Sequence, residues 1–405
     1  MRNMVGPTKL DKLLFIKLEK HSFDIFISLL LLISLAIRLY FMPFTEMSSD
    51  YTGCLYPWWD EYKQYGVIGG LGRTIGNYYV PYNLILAFAS LFPMQPCYII
   101  ASFSILADYV IAFYIYKILT TDSVSIYVSE KKAKIISTLV LFIPCVLMNG
   151  ALWKQCDSIY TSFVIISIYY LVEEKYNRGL LFFSLGFVFK LQAVFILPIY
   201  FMIYVVKKKI SLLSFLIIPA VYFIAGLPAI LCGRGFAETY SVYFAQTDAG
   251  KSMMSNTTNI YEFMYSDPEI CVVPALLFTL IVLVSVIWLF YYAKAADSKM
   301  LLMMAAWIPW SCFMFLPRMR QRYDYMAIVL FTVYVLAFEF KASWSIIIVN
   351  IISAMAYSAY LFKAEYPIME RTIPYVGVYM LFTLYVLTEL IRCYKVNTSD
   401  KERNL

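Results

Sequence analysis

Five polar clusters interrupt an otherwise apolar chain, and their residue types are those of acid–base and anion chemistry. Asp50 stands in Ser49-Asp50-Tyr51, just beyond the first long apolar run. A carboxylate there can act as a general base toward a hydroxyl or serve only as a solvated loop acid, and Asp60 and Glu61 are second candidates for the base. Arg318, Arg320 and Arg322 alternate along a short connection. Guanidinium forks suit a bidentate grip on phosphate or pyrophosphate, the competing role being an anchor to phospholipid headgroups. Lys190, in Phe189-Lys190-Leu191-Gln192, and Lys154, in the run from Asn149 to Ser158, add point charges for the same anion. Asp157 and Asp108 read instead as ion-pair partners of such lysines, with packing or pairing preferred over direct chemistry for Asp108. Asn256-Thr257-Thr258 matches a glycosylation sequon, a pattern common by chance.

Other chemistries are excluded at this level. His21 is the one histidine, which removes a histidine-based metal site or catalytic triad. The eight cysteines lack metal-ligand spacing; Cys54, Cys156 and Cys232 are the ones whose placement permits a disulfide. Neither a Walker loop nor a dinucleotide fingerprint is present to hold a nucleotide. A net charge of +7 raises nucleic acid as a partner, but the basic residues are scattered through short loops, which is how membrane topology is encoded.

The elements that must carry these clusters are membrane helices. The 405 residues are 62% hydrophobic and 15% charged, with mean hydropathy +0.71. Apolar runs recur from Ile25 to Ile391, without a hydrophilic stretch large enough for a second domain. The expected fold is therefore all-α, one polytopic helical bundle over 1–405 with about twelve spans. A first outer loop covers 43–96 and carries interfacial helices, and a second covers 232–269. The run Pro81 to Phe92, bounded by prolines, is too short to cross and is placed at the interface. The stretch 179–206 is read as a hairpin of two short helices, because Lys190 interrupts it and Lys207 to Lys209 end it. The basic leader before the first run lacks a small-residue cleavage site, so that run is expected to be a retained helix, and residues 1–20 and 396–405 to be cytosolic tails. With the N-terminus inside, most of the 33 lysines and arginines fall on the cytoplasmic side and the polar clusters on the outer one.

In this order the clusters resemble those of the GT-C glycosyltransferases, specifically bacterial membrane proteins of the GPI-mannosyltransferase-like group. Asp50-Tyr51 is similar to the family's outer-loop Asp-Tyr/Phe, and Tyr79-Val80-Pro81-Tyr82 to its Pro-Pro-Leu-Tyr, with Val80 in place of a proline. Ile105-Leu106-Ala107-Asp108 resembles Ile-Leu-Ala-Asp, and Asn149 to Ser158 resembles Asn-Ser-Ala-Leu-Trp-Gly-Gln-x-Asp-Ser with Lys154 for Gly. Phe189-Lys190-Leu191-Gln192 resembles Phe-Lys-Pro-Gln, and Met319 to Tyr323 resembles Met-His-Glu-Arg-Tyr, with Arg320 and Gln321 replacing His and Glu. The resemblance implies an inverting transfer of a hexose, mannose or glucose, from a polyprenyl-phosphate donor to a hydroxyl of a glycan or glycolipid acceptor. It implies no cofactor and no metal, and a site at the outer face of a bacterial plasma membrane among membrane lipids. Asp50 would be the base, and Arg322, Arg320 and Lys190 would hold the donor phosphate. Trp59, Tyr82, Gln155, Asp157, Gln192 and Tyr323 would shape the pocket. The rival expectation is a transporter or lipid-glycan flippase, with Asp108, Lys190 and Asp157 marking a translocation path.

Overall fold

A computed structural model of the protein describes residues 8–248, 252–264, 267–294 and 297–403; Arg2 and parts of the second loop lie outside them. The chain is all-α. Its helices are α1 (Lys9–Phe41), α2 (Tyr56–Leu71), α3 (Val80–Ser90), α4 (Pro96–Leu119), α5 (Asp122–Ser125), α6 (Glu130–Val140), α7 (Pro144–Ala151), α8 (Asp157–Val172) and α9 (Tyr176–Phe189). They continue with α10 (Leu197–Lys207), α11 (Ile217–Leu231), α12 (Phe236–Tyr240), α13 (Val242–Asp248), α14 (Pro268–Ala293), α15 (Ser298–Phe315), α16 (Tyr325–Phe338), α17 (Ser343–Leu361) and α18 (Ile368–Arg403). Among the described residues the only β-structure is a two-residue parallel bridge, β1 (Met254–Ser255) with β2 (Met319–Arg320).

Among the described residues, seven helical stretches are long and apolar enough to cross a membrane, and α6 with α7, which meet at 49°, make an eighth if taken as one bent span. The protein is a multi-pass membrane protein. The most apolar window of α15 is 89% buried, whereas those of α1 and α14 are 11% and 17% buried. This sets α15 at the centre and turns the leucines and isoleucines of α1 and α14 toward lipid, where exposure of apolar side chains is favourable. The shorter α8, α9, α10 and α16 are helices too, packed among the others. Within the described residues the polar ends are helical: α1 starts at Lys9 and α18 runs to Arg403, the rest of the expected tails lying outside the described residues.

Two ends of the bundle differ in chemistry. At one end, Glu174 before α9 pairs with Lys207 and Lys209 after α10, both at 2.6 Å. Lys134 of α6 reaches Asp24 of α1 at 3.0 Å, and Lys299 of α15 reaches Glu339 after α16 at 2.9 Å. Because α9 leaves this lysine-rich end and α10 returns to it, the chain reverses between them. The turn is at Lys190, whose extended backbone (φ −157°, ψ 134°) stops α9 before a 3₁₀ turn, Leu191–Ile196, and Pro198 then opens α10. The expected hairpin is present. The run at 81–92 is likewise a short helix, α3, stacked on α2.

One buried pair fastens the lipid-facing α1. Arg38, fully buried, donates to Asp108 at 2.9 Å, to the Leu141 carbonyl at 2.9 Å and to Ser34 Oγ at 2.6 Å. Tyr325 OH donates to the other Asp108 oxygen at 3.1 Å. Asp108 is thus a pairing residue, with Arg38 as its partner in place of the lysines considered from sequence.

Candidate functional site

Asp50 closes the bend after α1 and leads directly into a π-helical turn, Tyr51–Leu55, that merges with α2. Such turns recur at functional sites because they re-aim one residue out of the helical register. Four side chains from three distant segments donate to its carboxylate. Trp153 Nε1 at 2.9 Å, Gln155 Nε2 at 2.7 Å and Arg322 Nη1 at 3.1 Å all meet Oδ2, while Tyr360 OH meets Oδ1 at 3.0 Å. A carboxylate offers about four lone-pair positions. Oδ2 is therefore fully used and Oδ1 keeps room for one more donor.

The donors are positioned by local sequence. Trp153 and Gln155 flank Lys154, which lies in the left-handed region (φ 64°) between α7 and α8. Lys154 Nζ turns away from the site and donates to the carbonyls of Phe44 at 3.0 Å, Ala151 at 2.5 Å and Leu152 at 3.3 Å. It caps the carbonyl end of α7 with positive charge. It does not join the anion cluster, which corrects the expectation that it would. Burial pulls its ammonium down to about 8. The same loop is pinned to α4, where Ser104 Oγ donates to the Gln155 carbonyl at 2.8 Å and Ser158 Oγ to the Ser104 carbonyl at 3.0 Å. Gly150 permits this approach, since a Cβ there would sit 2.6 Å from that of Ser104.

Behind Asp50 lies a second acid. Asp157, fully buried, is ion-paired with Lys190 Nζ and accepts from Asn149 Nδ2 at 2.9 Å. Arg322 bridges the two acids: Nη1 bonds Asp50, and its Nε, 3.9 Å from Asp157 Oδ2, makes no hydrogen bond. Burial works against the Arg322 charge, yet Tyr323, Tyr78, Asp50 and Asp157 around it hold the guanidinium above its ordinary value. Its plane lies 5.3 Å from the Trp153 ring and 5.8 Å from that of Tyr323, and Lys190 Nζ is 5.2 Å from the latter. Arg322 sits in a 3₁₀ turn, Gln321–Asp324, held from below by Tyr375 OH, which donates to Asp324 at 3.1 Å.

Lys190, Arg320, Arg322, Tyr323, Tyr78 and Gln192 line a cavity of about 420 Å³. Beside it runs an apolar groove of about 440 Å³ lined by Leu191, Phe195, Val272, Leu276 and Leu316, and the two share Gln192, Gln246 and Tyr323. A charged chamber thus adjoins a hydrocarbon-like one.

Of the residues singled out from sequence, Asp50, Gln155, Asp157, Lys190, Gln192, Arg320, Arg322 and Tyr323 gather here. Lys190, Gln192, Arg320, Arg322 and Tyr323 line the cavity, while Asp50, Gln155 and Asp157 stand behind its wall, joined to it through Arg322 and Lys190; Trp59 and Tyr82 do neither. Trp59 packs against Tyr56 at 5.4 Å with Ala89 and Ile99, under the Lys63 ammonium, because α2 turns that face away from Asp50. Tyr82 is buried behind Tyr78, ring to ring at 4.3 Å, so Tyr78 faces the cavity in its place. The Asn256–Asn259 cluster is structural: Asn256 accepts from the buried Arg371 at 2.7 Å, and Asn259 donates to the Phe313 carbonyl at 3.4 Å. Thr257 and Thr258 are buried and Asn256 is half-buried. All eight cysteines are free thiols. Tyr360 was not foreseen; it ends an ordinary apolar helix, and only its stacking on Trp153 at 4.5 Å and its bond to Asp50 reveal it. No family model and no curated protein sequence matches the chain.

Proposed function

We propose that the protein is a membrane glycosyltransferase of GT-C type that moves a hexose from a polyprenyl-phosphate donor to an acceptor hydroxyl, with inversion. The observation that carries this reading is the union of three features at one end of the bundle. A carboxylate with an open lone pair, Asp50 Oδ1, is tied through Arg322 to a cavity bearing Lys190, Arg320 and Arg322, and that cavity shares part of its lining with an apolar groove. An amphiphilic anion with an isoprenoid tail fits both chambers at once. The twelve-passage reading counts the bent α6–α7 pair once, and α1, α4, α8 to α11 and α14 to α18 once each, adding short helices to the seven or eight long enough to cross by themselves. The short ones are tolerated because neighbouring helices surround them. The lysine-rich end then faces the cytoplasm and the site the outer leaflet of a bacterial plasma membrane.

In the reaction the acceptor oxygen bonds to the anomeric carbon from the face opposite the phosphate. The anomeric carbon–phosphate oxygen bond breaks, and its electron pair leaves on the phosphate. The acceptor proton passes to Asp50 Oδ1. Arg322, with its unused Nε, and Arg320 take up the charge that develops on the leaving phosphate, and Lys190 assists while held by Asp157. The incoming phosphate competes with Asp50 for Arg322, so donor binding also loosens the base from one of its four donors.

The test is reconstitution in lipid with polyprenyl-phosphate mannose or glucose and candidate glycan acceptors. Asp50→Asn should lower transfer by about 10²-fold or more while donor binding persists. Transfer unchanged in Asp50→Asn removes the base assignment, and donor-driven movement of lipid across the bilayer without transfer favours a flippase.

A further inference from the structure

The cavity has a second chemical face that the phosphate does not need. Besides its cations it is lined by Thr74, Asn77, Glu238, Ser241 and Gln246, contributed by the first outer loop and by α12 and α13 of the second. Cross-loop bonds hold this face in place: Gln246 Nε2 donates to the Asn77 carbonyl at 2.5 Å, and the buried Arg234 donates to the Leu71 carbonyl at 3.0 Å. Gly76, at φ 68°, lets the same loop press against Trp58, whose ring would lie 2.6 Å from any Cβ there.

Glu238 stands at the exposed edge of this face. In a chamber dominated by Lys190, Arg320 and Arg322, its carboxylate makes no ion pair among the described residues. Its one hydrogen bond among the described residues is accepted from Thr74 Oγ1, at 3.3 Å. Most of its lone-pair positions are therefore open, to the cavity it lines and to solvent. Asp50 and Asp157, by contrast, are engaged by Arg322 and Lys190. An acid kept apart from nearby cations suits a ligand that is anionic at one end and a hydrogen-bond donor at the other. Two adjacent hydroxyls of a pyranose match the two oxygens of a carboxylate.

We infer that Glu238 is a specificity-determining residue that binds a vicinal hydroxyl pair of the donor sugar. This rests on the transferase reading above. The experiment measures binding of two probes to the full chain in nanodiscs: polyprenyl-phosphate mannose (or glucose) and sugar-free polyprenyl phosphate. Glu238→Gln, which keeps size but exchanges one acceptor for a donor, should weaken hexose-lipid binding about tenfold, equivalent to about 1.4 kcal/mol, and leave sugar-free polyprenyl phosphate unchanged. It should also raise KM for the hexose donor more than it lowers kcat, and Glu238→Ala should do so further. Equal weakening of both lipids, or unchanged hexose-lipid binding in both variants, overturns the inference while the transferase reading stands. Wild-type protein that binds neither lipid overturns the transferase reading and the inference with it.

Discussion

Replacing Lys190 by methionine keeps the length of the side chain and removes one charge from a buried pair. Asp157 is fully enclosed, and its remaining partners are Asn149 at 2.9 Å and the Arg322 Nε at 3.9 Å. Breaking a buried pair by removing one partner typically costs about 3–5 kcal/mol, since the other charge is left without compensation. The Asn149 bond persists and Arg322 can close on the acid, so the expected loss lies near the lower end, about 3 kcal/mol. Asp157→Asn should cost less, because Lys190 lines the cavity and its ammonium can turn to water. The double variant carries neither charge and should be less destabilised than the sum of the singles, with a coupling of about 2 kcal/mol. Thermal unfolding of the four proteins in detergent measures the cycle. A Lys190→Met protein as stable as wild type, or a double variant no better than the sum of the singles, refutes the claim that this pair holds the hairpin tip against α8.

Lys154 gives a pH signature. Its folded-state value of about 8 lies below the ordinary 10.5, so from about pH 8 to 10.5 the unfolded chain holds a proton the folded one has released. Stability from this group therefore rises with pH across that window, by roughly 3 kcal/mol, and is at its lowest below pH 8. Wild type should gain on Lys154→Met between those pH values in unfolding measurements, and a flat difference would contradict the burial argument. Arg38→Met should leave Asp108 with Tyr325 as its one remaining hydrogen-bond donor and cost about 3–5 kcal/mol. Hydrogen exchange should report this as faster opening of α1, most of whose surface faces outward; unchanged exchange in α1 counts against Arg38 as its anchor.

Much of the architecture was written locally. Whether a segment leaves water depends on its own composition, so apolar runs and the scarcity of charge announce a multi-pass helical protein from sequence alone. The interruption at Lys190 and the lysines at 207–209 were likewise enough to place the hairpin, because a lysine inside an apolar run forces the chain to give it a polar surrounding. Asp50, Lys190 and Arg322 stood out for the same reason: a charge near lipid is costly unless something uses it.

What the sequence did not determine is which charge meets which. Asp108 pairs with Arg38 on α1, some 70 positions earlier, and Lys154 caps α7 although its neighbours Trp153 and Gln155 point at Asp50. Tyr360 reaches Asp50 across 310 residues, and Trp59 turns away from an acid only nine residues before it. Composition fixes which segments become helices, but the azimuth at which each helix faces its neighbours comes from packing the whole bundle around α15. A side chain's partner is set by that azimuth, and only the tertiary structure decides it.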